Sequence, residues 1–130
     1  MKKKSSDLEK IRTAVSRGKV IDVTTIGRQS GKPRRIEIVF HNIDGKIYVS
    51  GIPRPAQRAW LRNLEANPRF IFHLKGDPKA DLDATARVIN DESERRAVLP
   101  AVARAWKRDD LEEMVRYSPL IEVTLTDLAA

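Results

Sequence analysis

Two alternating β-branched runs, separated by a short basic loop, constrain the fold of this chain more than any other feature. Residues 20–26 read VIDVTTI, and residues 36–40 resume the same pattern as IEIVF. β-branched residues at a period of two are typical of half-buried strands. The segment between them contains two glycines, a serine and a proline, which are typical of a tight connection. We therefore predict that residues 19–26 and 35–40 form an antiparallel hairpin.

The loop of this hairpin has the composition of an anion-binding site. Gly27 and Gly31 permit backbone conformations in which N–H groups face outward, and Ser30 adds a hydroxyl. Arg28 and Arg34 carry planar donor groups that match a phosphate or a carboxylate. The formal net charge of +7 also favours an anionic ligand or partner. A solvated basic turn without a ligand is the alternative that composition leaves open.

The remaining pattern predicts four more strands and several helices. An Asp-Gly turn leads to a third strand at 46–51, and helical spacing follows at about 56–66. Further strands are expected at 69–75, 81–89 and 120–125, with helices at 8–17 (capped by Asp7), after Asp91 or Ser93, and at 111–116. Six antiparallel strands suggest a mainly β fold, a small closed barrel with helices, because closure removes exposed strand edges. We expect one domain over residues 1–130, with residues 1–6 disordered.

Composition argues against several other classes of protein. The chain has no cysteine, and its two histidines lie far apart in sequence, so neither a disulfide nor a metal site is expected. No signal peptide or long apolar run is present, so a cytoplasmic protein without an integral membrane segment is expected. An aromatic content of 5% leaves few rings for stacking on nucleic acid. The paired bases Arg95-Arg96 and Lys107-Arg108 are interpreted as solvated helix faces.

Three sequence blocks, in this order and spacing, resemble the deazaflavin-dependent nitroreductase family. They are TTxGRxSGxxR at 24–34, DG at 44–45 and WxxNLxANP at 60–68, and RxxP at 116–119 also fits the end of that family. The family belongs to the flavin and deazaflavin oxidoreductases with an FMN-binding split β-barrel. The resemblance therefore implies that the predicted barrel is of the split-barrel type.

The resemblance also implies a cofactor, which is the deazaflavin coenzyme F-420 or, as in some relatives, FMN. Its phosphate and acidic tail would meet the loop, and its ring would lie near the end of the third strand. Relatives continue that strand with Ser-Lys-Gly-Gly, whereas this chain reads SGIP at 50–53, so a phosphate contact moves to Arg54 or Arg58 or is lost. Trp60 either fills the core or contacts the cofactor. The expected cofactor-binding residues are Arg28, Gln29, Ser30, Gly31, Lys32, Arg34, Val49, Ser50, Gly51, Arg54, Arg58 and Trp60.

The implied function is an oxidoreductase that reduces a quinone, a nitro compound or an unsaturated small molecule. Relatives carry tyrosines in the helix before the last strand, and here that region has none before Tyr117, which is the one catalytic candidate, as a proton donor. The substrate would enter between residues 51–58 and the C-terminal helices. A small-molecule substrate and a homodimer, but no nucleic acid, are the expected partners. The alternative function is a non-catalytic barrel that binds a flavin, a deazaflavin or a polyanion.

Overall fold

The chain folds into a closed barrel of six antiparallel strands, with helices packed outside it. A computed structural model describes residues 5–128. The strands are β1 (Lys19–Ile26), β2 (Pro33–Ile43), β3 (Lys46–Ser50), β4 (Arg69–Leu74), β5 (Ala80–Val88) and β6 (Leu120–Leu125). The helices are α1 (Ser5–Val15), α2 (Ala59–Ala66), α3 (Glu92–Ala105) and α4 (Leu111–Tyr117), followed by a 3-10 turn at Thr126–Leu128.

The barrel closes because β1 pairs with both β2 and β4. The strand order is β1-β2-β3-β6-β5-β4, and every neighbouring pair is antiparallel. Each of these six strands therefore has two partners along at least part of its length, and none of the six remains as a free sheet edge. The predicted mainly β fold, a six-stranded antiparallel split barrel, is confirmed.

Strand alternation divides the apolar residues between two cores. Ile21 and Val23 point into the barrel, where Phe40 and Phe72 pack edge to face with ring centroids 5.2 Å apart. Tyr48 occupies the opposite face of β3, and it packs in a second cluster with residues of α3 and α4. The two C-terminal helices are thus fixed against the outer wall of the barrel.

Strand β2 is longer at both ends than the predicted 35–40. Its register pairs Thr25 with Arg34 and Ile26 with Pro33 at one end, and His41 with Tyr48 at the other. Consequently, Arg34 belongs to a strand rather than to the loop, and the strand continues past residue 40 to Ile43. Pairing across the sheet outweighs the local turn-like composition at these positions.

The helix boundaries also differ in detail from the prediction. Helix α1 begins at Ser5 and not at Leu8, so Asp7 lies inside its first turns and Ser5 and Ser6 are helical rather than disordered. Residues 1–4, for which disorder was also expected, lie outside the described residues. Helix α2 begins three residues later than predicted, after an irregular segment that contains two prolines.

The start of α3 resolves an alternative that the sequence left open. Between Asp91 and Ser93, Asp91 is the N-cap, and its carboxylate accepts a hydrogen bond from the Glu94 N–H at 2.9 Å. The helix then continues through Pro100 to Ala105.

Candidate functional site

The β1–β2 loop closes on itself through its own backbone. The Gly27 N–H donates to the Lys32 carbonyl and the Gly31 N–H donates to the Gly27 carbonyl, both at 2.9 Å, while Gly31 has a φ of 68°. The Ser30 hydroxyl accepts a hydrogen bond from the Lys32 N–H at 3.1 Å. The prediction that the two glycine N–H groups face outward is therefore wrong, because both are used inside the loop. Neither of these two glycine N–H groups is therefore available to an anion.

Asn63 attaches helix α2 to this loop. Its Oδ1 accepts from the Arg28 backbone N–H and from the Arg28 guanidinium, each at 3.2 Å, and its Nδ2 donates to the Thr25 hydroxyl at 3.1 Å. Asn63 and Thr25 are both buried. Neither is among the predicted cofactor contacts, although the WxxN block of the resemblance was a signal that pointed to Asn63.

Arg34 and Arg35 lie on opposite faces of β2. Arg34 pairs with Thr25 across the sheet, on the face that lines the barrel interior. It also lines a cavity beside the start of α2. Arg35 lies on the outer face, where its Nε donates to Asp22 at 2.9 Å. Hydrogen bonds from Lys75 and then Arg35 lower the pKa of Asp22 below its ordinary value. Of the two arginines, only Arg34 thus faces the cavity described next.

A cavity of about 420 Å³, here called the hairpin cavity, lies between the β1–β2 loop and the start of α2. Three arginines line it, and none of its lining residues is acidic. Within residues 5–128, none of these arginines has a carboxylate within 4.0 Å. Trp60 contributes a ring that also packs against the barrel core. The predicted residues that meet here are Arg28, Gln29, Ser30, Arg34, Arg58 and Trp60.

Six of the predicted contacts do not line this cavity, and Gly51 and Arg54 are described separately below. Gly31 and Lys32 are exposed at the tip of the loop. Val49 is buried in the barrel core, and Ser50 is buried with its hydroxyl donating to the Pro119 carbonyl at 2.6 Å. The side chains of these two β3 residues are therefore engaged inside the fold and are not available to a ligand ring.

Gly51 lies beneath the guanidinium of Arg58. A Cβ at position 51 would lie 3.2 Å from both Cζ and Nε of Arg58 and 3.0 Å from Cγ of Pro119. Arg58 also donates a hydrogen bond to the Ile52 carbonyl. Burial, followed by repulsion from Arg54, lowers the pKa of Arg58 below its ordinary value. The positively charged guanidinium of Arg58 thus occupies the space that a side chain at position 51 would fill.

A second cavity, of about 500 Å³ and here called the helix cavity, lies between residues 54–58 and the helices α3 and α4. It shares Arg58 with the hairpin cavity, so the two cavities are neighbours. Arg54 lines only the helix cavity, as does the half-buried Tyr117. The structure therefore contains a cavity at the position where the sequence predicts substrate entry.

Arg95 is buried, and the interpretation of the Arg95-Arg96 pair as a solvated face is wrong for this residue. Arg95 is only 8% exposed, and its guanidinium donates to four backbone carbonyls at distances from 2.5 to 3.1 Å. The acceptors are the carbonyls of Ile89, Met114, Val115 and Ser118. Arg95 thereby connects the end of β5 to the end of α4 beneath the helix cavity.

The two histidines occupy unrelated environments. His73 lies on the outer wall, 2.7 Å from the Thr24 hydroxyl through Nε2 and 2.7 Å from Asp81 through Nδ1. His41 is buried beside Trp106, with ring centroids 5.0 Å apart. Across the described part of the chain, no cluster of three or more ligating side chains could hold a metal ion. In the same part, no helix is long and apolar enough to cross a membrane.

Solved structures share this fold. An F420-H2 dependent reductase (FDR-A) is 24% identical with a TM-score of 0.59, over 81% of this chain and 93% of that one. A chain described as a domain-swapped dimer is 25% identical with a TM-score of 0.61, over 81% and 79% of the two chains. The protein Atu2129 (unknown function) from Agrobacterium tumefaciens str. C58 is 18% identical with a TM-score of 0.70, over 98% and 62%.

A family model matches most of the sequence. The model of the F420H(2)-dependent quinone reductase family matches residues 3–118. This match includes the loop block, the WxxN block and Tyr117, and it extends through the helices that line the helix cavity. The chain therefore belongs to the F420H(2)-dependent quinone reductases, a family of enzymes.

Proposed function

We propose that this protein binds reduced coenzyme F-420 with the anionic tail of the coenzyme in the hairpin cavity, and reduces a quinone in the neighbouring helix cavity. The observation that carries the proposal is the positive charge of the hairpin cavity. Arg28, Arg34 and Arg58 surround it without an acidic residue in its lining. Like charges held together in this way repel one another, and a phosphate or a carboxylate relieves that repulsion.

The donor groups of the cavity match a phosphate and an acidic tail. An arginine has five N–H donors, and Asn63 engages one from the Arg28 guanidinium, so the planar group is oriented and retains free donors for a ligand. Arg34 comes from a paired strand position, which fixes its backbone. Arg58 supplies the positive group beside Gly51. The sequence allows the phosphate contact to move to Arg54 or to Arg58, or to be lost, and we assign it to Arg58.

The remaining contacts concern the ring of the coenzyme. Trp60 is half-buried at the edge of the hairpin cavity and offers an apolar face. When bound, reduced F-420 supplies a hydride, and one proton, from water or from Tyr117, completes the reduction of the quinone to a quinol. The residues of the chain bind and orient the reactants and exclude water. Tyr117, which lines the helix cavity, remains the candidate proton donor to the acceptor.

Titration of the purified protein with F-420 and, separately, with FMN tests this proposal. We expect saturable F-420 binding that weakens as salt rises, because the cavity is partly open and ionic contacts there are screened. We also expect oxidation of reduced F-420 that depends on added quinone. Tight FMN binding without F-420 binding would reassign the cofactor. Binding of heparin without binding of either cofactor would favour the non-catalytic polyanion-binding alternative.

We further propose that the protein forms a homodimer. The support is the structural neighbour described as a domain-swapped dimer, which is 25% identical to this chain. Exposed apolar side chains on this chain, such as Ile52 at 49%, are compatible with a contact between copies. Light scattering on the purified protein measures the mass directly, and a monomer at micromolar concentration would contradict this expectation.

A further inference from the structure

We propose that the helix cavity recognises an acidic group on the electron acceptor, so that the preferred quinone carries a carboxylate. This inference rests on the proposed function and specifies the acceptor of the same site. The helix cavity is large enough for a small organic molecule, and it adjoins the hairpin cavity at Arg58. An acceptor seated there lies beside whatever occupies the hairpin cavity.

The charge balance of the helix cavity favours an anion. Five arginines and three glutamates line it. Arg96 binds two of those glutamates, Glu92 and Glu112, each at 2.8 Å, and thereby engages most of the acidic charge. Among residues 5–128, the other four arginines have no carboxylate within 4.0 Å, and Glu113 is the one remaining lining acid.

The buried guanidinium of Arg95 is the strongest part of this argument. Its hydrogen bonds to four carbonyls engage four of its five N–H donors, but carbonyl groups carry no net charge to balance it. Burial also lowers the pKa of Arg95 below its ordinary value, which reflects the cost of holding the charge there. An anion in the cavity that Arg95 lines would provide the missing counter-charge.

Ser118 gives a second, independent observation. It lines the same cavity, is only 3% exposed, and its Oγ has no hydrogen-bond partner among the described residues. Buried hydroxyl groups in folded proteins are nearly always hydrogen-bonded. A carboxylate would accept a hydrogen bond from this hydroxyl, whereas a plain hydrocarbon substituent would not. A site built around polar groups discriminates against ligands that leave those groups unpaired.

Two matched acceptors test the proposal. One is 2-methyl-naphthoquinone, and the other is the same ring with a carboxyethyl side chain, which adds a charge while leaving the quinone similar. Steady-state rates with reduced F-420 give the ratio of kcat/KM for the charged and neutral acceptors. Calorimetric binding of the carboxylated quinone to the protein without F-420 gives a readout that does not depend on turnover. We expect the parent protein to prefer the carboxylated quinone in both measurements.

Substitution of one cavity arginine then assigns the preference to this site. Arg116 is exposed on α4 and lines the helix cavity, so Arg116→Gln should preserve the fold. We expect it to reduce the preference for the carboxylated quinone by about 10- to 100-fold, the effect of losing one charge-assisted hydrogen bond. Arg104→Gln is the matched control, because it removes the same charge from an exposed position of α3 outside the cavity lining. Ser118→Ala should weaken binding of the carboxylated quinone while removing no charge.

The outcomes separate this inference from the proposed function. If F-420 binds and the neutral quinone is reduced equally well or better, the acidic-acceptor proposal is wrong and the proposed function stands. If F-420 does not bind but the carboxylated quinone does, and Arg116→Gln weakens it, the anion site stands and the proposed function fails. Equal effects of Arg116→Gln and Arg104→Gln would show that the preference comes from general surface charge. That result would overturn its assignment to the helix cavity.

Discussion

The Oδ1 of Asn63 on α2 accepts two hydrogen bonds from Arg28 of the β1–β2 loop, one from its backbone N–H and one from its guanidinium, each at 3.2 Å. Its Nδ2 reaches the buried Thr25 hydroxyl at 3.1 Å. One side chain thus fixes the position of the helix, the loop and a cavity-lining arginine. This connection makes Asn63 the residue whose removal should affect the fold and the hairpin cavity together.

We expect Asn63→Ala to destabilise the protein and to weaken F-420 binding. Loss of the amide leaves the Arg28 N–H and the Thr25 hydroxyl without their partner, and a single unsatisfied buried group costs about 1–3 kcal/mol. Urea unfolding measures the first effect, and fluorescence titration with F-420 measures the second. Asn63→Asp separates them, since its carboxylate still accepts from Arg28 but neutralises that arginine. Stability should then be largely retained while F-420 affinity falls. Unchanged F-420 affinity in both variants would show that Asn63 does not contribute to cofactor binding.

Arg34 and Arg35 provide a matched pair of adjacent arginines on opposite faces of β2. Because Arg34 lines the hairpin cavity, Arg34→Ala should weaken F-420 binding by about 1.5–3 kcal/mol, the scale of a charge-assisted hydrogen bond. Arg35→Ala removes the same charge on the outer wall, beside Asp22, and should leave the affinity nearly unchanged. Titrations at low and high salt measure both variants. Equal losses in the two would assign the effect to net charge alone.

Local patterns predicted the parts of this molecule that depend on neighbouring residues in sequence. Strands β1 and β6 have the predicted boundaries because apolar and polar residues largely alternate within each strand and polar residues flank both. The start of β2 lies outside the prediction because Pro33 and Arg34 have the composition of a loop, whereas pairing with Ile26 and Thr25 extends the strand. Cross-strand pairing is a long-range property that the local composition does not contain.

The candidate site likewise contains features that local sequence indicates and features that depend on long-range contacts. Loop arginines were predicted from their composition, and the structure brings Arg28 and Arg34 together around one cavity. The paired bases Arg95-Arg96 suggest a solvated face, but the carbonyl groups that accept from Arg95 lie at residue 89 and from residue 114 onward. The sequence periodicity of α3 does not indicate that carbonyl groups of other elements accept hydrogen bonds from Arg95. Glycine N–H groups likewise looked free in sequence and are used within the loop.

Position 51 tests the role of Arg58. The three atoms nearest to a Cβ there belong to side chains, Cγ of Pro119 at 3.0 Å and Cζ and Nε of Arg58 at 3.2 Å, so Gly51→Ala requires a small shift of both side chains. A bulky ring in Gly51→Trp has to displace Arg58 from the boundary between the two cavities. We therefore expect a modest loss of F-420 affinity for the alanine variant and abolished turnover for the tryptophan variant. Titration and quinone-dependent oxidation of reduced F-420 measure these effects, and a fully active Gly51→Trp protein would remove residue 51 from the site.

Tyr117 tests whether the reaction requires a proton donor from the protein. Tyr117 lines the helix cavity, and the Arg116 guanidinium lies 5.9 Å from the centroid of its ring. Reduction of a quinone can draw its proton from water, so we expect Tyr117→Phe to lower kcat by at most about tenfold, below the usual range for loss of a general acid. Steady-state kinetics and an F-420 titration on the same sample measure this. A variant that binds F-420 normally but has no turnover would make Tyr117 an essential donor.

His41 should make the stability of the protein depend on pH. Burial lowers the pKa of His41 below its ordinary value, and its Nε2 has no hydrogen-bond partner within residues 5–128. In the unfolded chain the same imidazole titrates at about 6.5. As the pH falls through that value, the unfolded state takes up a proton that the folded state does not, so the free energy of unfolding decreases until the lower folded pKa is reached. Urea midpoints at about pH 7.5 and about pH 5.5, on either side of the unfolded value, measure this loss.

His41→Phe is the variant that isolates this titration, because it keeps a ring beside Trp106 and removes the ionisable group. Asp44 is the one other ionisable side chain around the adjoining cavity, and it is exposed and unchanged in the variant. His73 is unchanged in the variant, so it does not distinguish the two proteins. We therefore expect the urea midpoint of the variant to fall less than that of the parent protein between the two pH values. Equal falls in the two proteins would show that His41 accepts a proton in the folded state as readily as in the unfolded one.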